Sequence, residues 1–230
     1  MLGRDDVEVS FTDPAALRDA ARRDAALELL TPDERETVGR FRFERDRLIH
    51  LAARALVRRS LSRCGDVDPR AWRFAATPYG RPEITAPAAT RLRFNTSHTV
   101  GLAMVAVVLD RDVGVDVERV PAALPADVVD SSFCEVERAA LRAAPAHERA
   151  ALFTELWTLK EAYAKARGLG LSLALDSFAF ALGPPRLVAG DDPAEWHVLT
   201  MSPTAAHRAS VCVRVGLHQS LRVRTRQDDP

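Results

Sequence analysis

A chain of 230 residues, 47% hydrophobic and 28% charged, has the make-up of a folded soluble protein and the length for one large domain or two small ones. Its 32 basic and 32 acidic residues cancel, which excludes the positive excess of a general nucleic-acid or membrane-surface binder. Cys64, Cys134 and Cys212 are odd in number and far apart, which excludes a disulfide framework or a CxxC zinc site and fits a reducing compartment.

The first residues, MLGRDDVEVSF, carry no apolar signal region, and no apolar run reaches membrane-spanning length, so the cytoplasm is the expected location. Thr31-Pro32-Asp33 reads as a helix start, with Thr as N-cap and Pro in the first turn. Over residues 46–63, Leu48, Leu51, Ala52, Ala55, Leu56 and Leu61 recur at helical spacing, and Gly65 and Pro69 follow as stops. Residues 72–76 alternate like a strand. Pro78-Tyr79-Gly80-Arg81-Pro82 is turn chemistry, and a short extended segment follows at 83–85. A strand at 92–94 leads into a polar turn, Asn95-Thr96-Ser97-His98. The apolar run 101–109 reads as a strand buried on both faces, and 113–120 as another strand.

The second half repeats this order. Residues 133–144 and 150–167 read as helices, the latter closed by Gly168 and Gly170, and strands are expected at 177–182, 195–201 and 208–215. The weak repetition gives the fold class: α/β (α+β), two similar subdomains, residues 1–112 and 113–230, with a frayed tail from about residue 225.

Thirty of the 32 basic residues are Arg. The two lysines are Lys160 and Lys165, the single Asn is Asn95 and the two tyrosines are Tyr79 and Tyr163. All five fall in the segments that carry chemistry. In Gly114-Val115-Asp116-Val117-Glu118, strand alternation puts Val115 and Val117 on one face and Asp116 and Glu118 side by side on the other. Two such carboxylates suit a hard, oxygen-seeking cation that also takes phosphate oxygens. The same alternation describes the polar face of an edge strand with an arginine counter-ion. In Trp157-Thr158-Leu159-Lys160-Glu161-Ala162-Tyr163-Ala164-Lys165, residues Trp157, Glu161 and Lys165 share a helix face. Glu161 can complete a metal site and the lysines can meet phosphate, or the set is a surface Glu–Lys pair beside a core Trp. In Phe94-Asn95-Thr96-Ser97-His98, hydroxyls and an imidazole can hold a phosphate or simply cap a turn. There is no P-loop, GxGxxG or GxSxG.

Taken together, VGVDVE at 113–118, WTLKEAYAK at 157–165, FNTSH at 94–98 and YGRP at 79–82 resemble, in order and spacing over residues 30–215, the 4′-phosphopantetheinyl transferases of the surfactin-synthetase-activating (Sfp) type. The stretch GLGLSLALDSFAF after the helix is similar too. The resemblance implies two α/β subdomains in a pseudo-twofold arrangement with coenzyme A between them, and two fused halves that can form the cleft within one chain make a monomer the expectation. It implies that Asp116, Glu118 and Glu161 bind Mg²⁺ with the diphosphate and that Lys160 and Lys165 neutralise phosphates. It places Ser97 and His98 at the 3′-phosphate or diphosphate and Arg40, Arg45 and Arg81 at the adenosine end. The implied reaction is attack of a carrier-protein serine on the phosphorus bearing the pantetheine arm, releasing 3′,5′-ADP. Glu161, Lys160 and Asp116 are its catalytic residues, and Glu161 or a metal-bound water takes the proton. The implied partners are apo acyl or peptidyl carrier domains of polyketide, nonribosomal-peptide or fatty-acid synthases. The chain departs from the family pattern at Asp33, Glu34 and Thr37, where lysines are common. The docking surface for the carrier is expected beside the site, in residues 124–141. A metal-dependent nuclease also clusters carboxylates with a lysine, but the balanced charge and the lack of a basic groove disfavour it. A binder that has lost its chemistry is disfavoured by the intact Asp116, Glu118 and Glu161.

Overall fold

The first strand, β1 (Asp6–Thr12), alternates Val7, Val9 and Phe11 with Asp6, Glu8 and Ser10, and both faces are largely buried. A computed structural model of the chain describes residues 2–216 and 221–228, the side chain of Leu171 excepted. Chain contacts divide it into two compact units that part between Asp110 and Arg111, and the last strand returns to the first unit.

In the first unit, β1 is followed by α1 (Ala20–Leu29), α2 (Pro32–Gly39), α3 (Glu44–Gly65), a hairpin of β2 (Arg73–Ala76) and β3 (Pro82–Ala86), and the antiparallel pair β4 (Leu92–Thr99) and β5 (Leu102–Leu109). α3 buries two faces, which is why its apolar residues outrun a single stripe. Ala53, Leu56, Val57 and Leu61 pack with Phe94, Ala103, Val105 and Val107 of the sheet. Leu48, Leu51, Ala52 and Ala55 pack with Leu17, Ala26, Leu30 and Val38.

The second unit contains β6 (Val113–Arg119), α4 (Ala126–Ser132), α5 (Glu135–Ala143), α6 (Arg149–Arg167), a hairpin of β7 (Ala179–Ala181) and β8 (Arg186–Ala189), and the antiparallel pair β9 (Trp196–Met201) and β10 (His207–Arg214). Its core joins Phe133 and Leu141 to Phe153, Leu156, Leu159 and Tyr163 of α6 and to Phe178, Phe180 and Trp196. Gly168 ends α6 in the left-handed region at φ 67°, which glycine enters without a Cβ penalty.

Each unit therefore runs strand, long helix, hairpin, strand, strand, and the central sheets match: β1-β5-β4 in one and β6-β10-β9 in the other. The fold is of mixed α and β class, and the duplication legible in the sequence is one of topology. Among the described residues no helix is long and apolar enough to cross a membrane.

Three expectations need correction. β1 was not foreseen. Nor was the last strand, β11 (Arg222–Gln227), in a segment assigned to residues 113–230 with fraying from 225. β11 pairs in parallel with β1 and so belongs to the first unit. Charge draws it there: Asp6 accepts from Arg222 Nε at 2.9 Å, and Arg226 lies 3.8 Å from Glu8. A backbone hydrogen bond from Gly3, together with Arg222 and Arg224, holds the Asp6 carboxyl below its usual range, against the opposing effect of burial. The third correction concerns Asn95-Thr96-Ser97-His98, which is not a turn. It continues β4, with Ser97 opposite Met104 and His98 opposite Ala103. β5, buried in all but its last residue, supplies backbone partners along the whole segment, and that ladder outweighs the turn preference of Asn and Ser.

Candidate active site

The second unit assembles its acidic group from β6 and α6. Gly114, Asp116 and Glu118 alternate onto one strand face. A Cβ on Gly114 would stand 1.9 Å from the Ala162 carbonyl oxygen and 2.6 Å from the Ala166 nitrogen. Only glycine lets β6 approach the backbone of α6 this closely, and the contact identifies the Gly114 face as the one turned to the helix. Two residues on, Asp116 meets α6 as well. Lys165 Nζ donates to Asp116 Oδ1 at 2.6 Å and to the Val115 carbonyl at 3.3 Å. On β10, Ser210 lies opposite Asp116, and its hydroxyl is 2.7 Å from that of Thr158.

Glu161 lies on the same side of the helix as Lys165. Its pKa is raised, first by burial, then by the negative charge of Asp116, with Lys165 opposing. Two carboxylates on facing elements are thus close enough to repel, with one ammonium beside them. Among the described residues no three acidic, histidine or cysteine side chains converge into a metal cage, and Glu118 sits further along the same face, opposite Arg208. An all-oxygen set of this size still suits Mg²⁺, which is held by one or two carboxylates and completes its shell with phosphate oxygens and water.

Lys160 requires a correction. Expected to neutralise phosphate, it is completely buried, and so is its partner Glu137 at 2.8 Å. Its other hydrogens go to the carbonyl oxygens of Leu175 and Phe178, both at 2.8 Å. An ammonium has three donors, and all three are used inside the unit. Phe178 and Phe133 flank it, the former 4.6 Å from Nζ. Burial pulls its pKa down and Glu137 opposes this. Lys160 is a structural residue of the second unit, and the phosphate role assigned to the two lysines rests on Lys165.

In the first unit, Ser97 is buried and His98 exposed. His98 meets His50 of α3 edge to face at 4.7 Å, and His50 stacks on Phe41 at 3.9 Å. Burial, His98 and Arg54 lower the pKa of His50, and Asp46 opposes them. Arg40 pairs with Glu36 at 2.6 Å on the surface, Arg45 with Asp46 at 3.3 Å, and Arg81 with Glu83 at 2.7 Å. Each of these arginines meets an acid of its own neighbourhood. The departure at Glu34 has a structural reason. Glu34 closes the capping box of α2 with Thr31 and takes the buried Arg58 at 2.7 Å.

Sequence reasoning did not single out His50, Phe41, Glu137 or the Thr158–Ser210 bond. Glu137 had a signal: it interrupts the apolar series Phe133, Leu141 at i+4 spacing, where an acid must find a buried partner.

The profile of the 4′-phosphopantetheinyl transferase superfamily matches residues 112–212, and that of the 4′-phosphopantetheinyl transferase N-terminal region matches 20–109. A 4′-phosphopantetheinyl transferase of Bacillus subtilis is 31% identical over 71% of this chain and 71% of its own. The Sfp transferase of Bacillus subtilis strain 168 is 30% identical over 81% and 83%, and HetI of a Nostoc species 31% over 80% and 78%. The chain belongs to the 4′-phosphopantetheinyl transferase superfamily. Within it the chain is of the Sfp type, and the segments alike by motif are those that carry the Asp116–Lys165–Glu161 group.

Proposed function

We propose that this transferase moves the 4′-phosphopantetheine arm of coenzyme A onto a serine of an apo acyl or peptidyl carrier domain and releases 3′,5′-ADP. The observation that carries the reading is the meeting of Asp116, Lys165 and Glu161 across β6 and α6 in a chain of this family. The serine Oγ–P bond forms as the bond between that phosphorus and the oxygen of the 5′-phosphate of 3′,5′-ADP breaks. Glu161 accepts the serine proton, directly or through a water. Its raised pKa makes it a stronger base than a surface carboxylate. Lys165, held in place by Asp116, faces the charge that gathers on the leaving phosphate. Asp116, Glu118 and Glu161 would hold Mg²⁺, which when bound neutralises diphosphate charge. Ser97 and His98 take the 3′-phosphate or diphosphate, and Arg40, Arg45 and Arg81 the adenosine end. The carriers are those of polyketide, nonribosomal-peptide or fatty-acid synthases, and the chain acts as a cytoplasmic monomer.

Intact-mass spectrometry of an apo carrier incubated with the chain, coenzyme A and Mg²⁺ tests this. A gain of one phosphopantetheine, lost with EDTA, is the expected result. Failure across several carrier types would overturn it.

A further inference from the structure

The most heavily invested polar group of the second unit lies outside the Asp116 cluster. Glu137 of α5 is almost wholly buried. Its Oε1 accepts from the Phe180 amide at 3.0 Å. Its Oε2 accepts from the Cys134 amide at 3.1 Å, from the Cys134 thiol at 3.1 Å and from Lys160 Nζ at 2.8 Å. With the bonds of Lys160 to Leu175 and Phe178, one carboxylate and one ammonium join α5, α6, the turn before β7 and β7 itself.

Such a pair contributes little to stability over an apolar pair of the same size, because desolvation offsets most of the attraction. What it supplies is geometry: every donor and acceptor is satisfied in one arrangement only. Lys160 is the residue before Glu161, so they stand about 100° apart around the helix axis at 3.6 residues per turn. Any rotation of α6 that swung Glu161 and Lys165 away from Asp116 would tear Lys160 from its three acceptors. Gly114 fixes how near β6 comes to α6, but a backbone contact against Ala162 and Ala166 does little to fix rotation. The site also explains why this position is a lysine in an arginine-rich chain. Three acceptors around one nitrogen suit an ammonium and not a planar guanidinium.

We propose that Glu137 is a positioning residue: through Lys160 it fixes α6 about its axis so that Glu161 and Lys165 face Asp116, while touching neither substrate nor metal itself. This rests on the reading of the Asp116 cluster as the reactive site, and it assigns Glu137 and Lys160 a shared role.

Mn²⁺ binding in the presence of coenzyme A, followed by the electron paramagnetic resonance of free Mn²⁺, tests it alongside melting temperature. Glu137→Gln leaves the ammonium buried without its counter-charge, so both stability and Mn²⁺ affinity should fall. The deciding variant is Glu137→Leu/Lys160→Met, which keeps volume and removes both charges. It leaves the Phe180 and Cys134 amides and the Leu175 and Phe178 carbonyls without these partners, so it should melt lower than the unaltered protein yet stay folded, and bind Mn²⁺ roughly ten- to a hundred-fold more weakly, the range seen when an outer-shell partner of a ligand is lost. A folded double variant with unaltered Mn²⁺ affinity overturns the proposal. So does one that fails to fold, since the pair would then be structure rather than placement. If the unaltered chain binds Mn²⁺ and coenzyme A but modifies no carrier, the transferase reading fails while this comparison still stands or falls on its own.

Discussion

Lys160 and Lys165 stand five residues apart on one helix, each beside a carboxylate, and the structure uses them in opposite ways. Lys160 and Glu137 are sealed together, with every hydrogen of the ammonium committed inside the unit. Lys165 is 30% exposed, and its carboxylate, Asp116, is shared with the field of a second acid, Glu161. The first pair is sealed from water, whereas in the second one ammonium stands near two carboxylates at a partly exposed position. The difference teaches that a lysine beside an acid in a motif says little by itself. What decides its role is where the pair sits, sealed in the core or open to water.

The largest expected effects break this comparison from the reactive side. Glu161→Gln should lower kcat by about 10²–10⁴-fold, the range for loss of a general base, with no loss of melting temperature, because the neutral amide relieves repulsion from Asp116. Turnover near that of the unaltered enzyme would remove Glu161 from its role. Next comes the contrast between the lysines. Lys160→Met strands the Glu137 carboxylate in the core and should cost about 3–5 kcal/mol in chemical denaturation. Lys165→Met should cost less, since water reaches that side chain, and should show instead as lost turnover. Equal stability losses would erase the distinction drawn between them.

Between the two pairs lies the close packing of β6 on α6. Gly114→Ala puts a methyl group into the Ala162 carbonyl, and neither backbone can yield without moving strand or helix. A loss of about 3 kcal/mol, at the upper end for overpacking, should accompany lower activity as Asp116 withdraws from Lys165. Thr158→Val is milder. It leaves the Ser210 hydroxyl buried without its 2.7 Å partner, a loss of about 1–2 kcal/mol, and Thr158→Val/Ser210→Ala should recover part of it. If the double variant recovers nothing, the hydroxyl pair is not what joins α6 to β10.

How much of this was legible depends on where each signal was stored. The duplicated order was, because both long helices show 3.6-residue spacing and both are followed by turn-rich segments. The Gly114-to-Glu118 face was, because strand alternation is strict. β1 was legible but passed over: Val7, Val9 and Phe11 alternate cleanly with polar residues. β11 was not, since Arg222, Arg224 and Arg226 look like a solvated tail until Asp6 and Glu8 are placed beside them. The extension of β4 through Ser97 depends on a partner strand, which no local pattern specifies. Lys160 could have been read correctly. It falls in the series Phe153, Leu156, Tyr163, and a charge on that apolar stripe calls for the buried acid that Glu137 supplies.

The smallest effect expected is the most diagnostic of how the reactive group is tuned. Glu161 is raised by burial and by Asp116 and lowered by Lys165. In the proposed reaction the deprotonated form is the base, so activity should be lost as pH falls through a value above the ordinary carboxylate range, and kcat/KM against pH reports it for the free enzyme. Removing each neighbour should move that acid limb in its own direction. Asp116→Asn takes away a like charge and should shift the limb to lower pH. Lys165→Met takes away the stabilising cation and should shift it higher. The Lys160→Met variant provides the internal control: its charge is committed to Glu137 in the core and is absent from the causes that shift Glu161. Whatever activity it retains should therefore keep the acid limb in place. A limb that moves as far for Lys160→Met as for Lys165→Met would mean that the two ion pairs of α6 act on one another, and that the sealed pair tunes the reactive one by charge as well as by position.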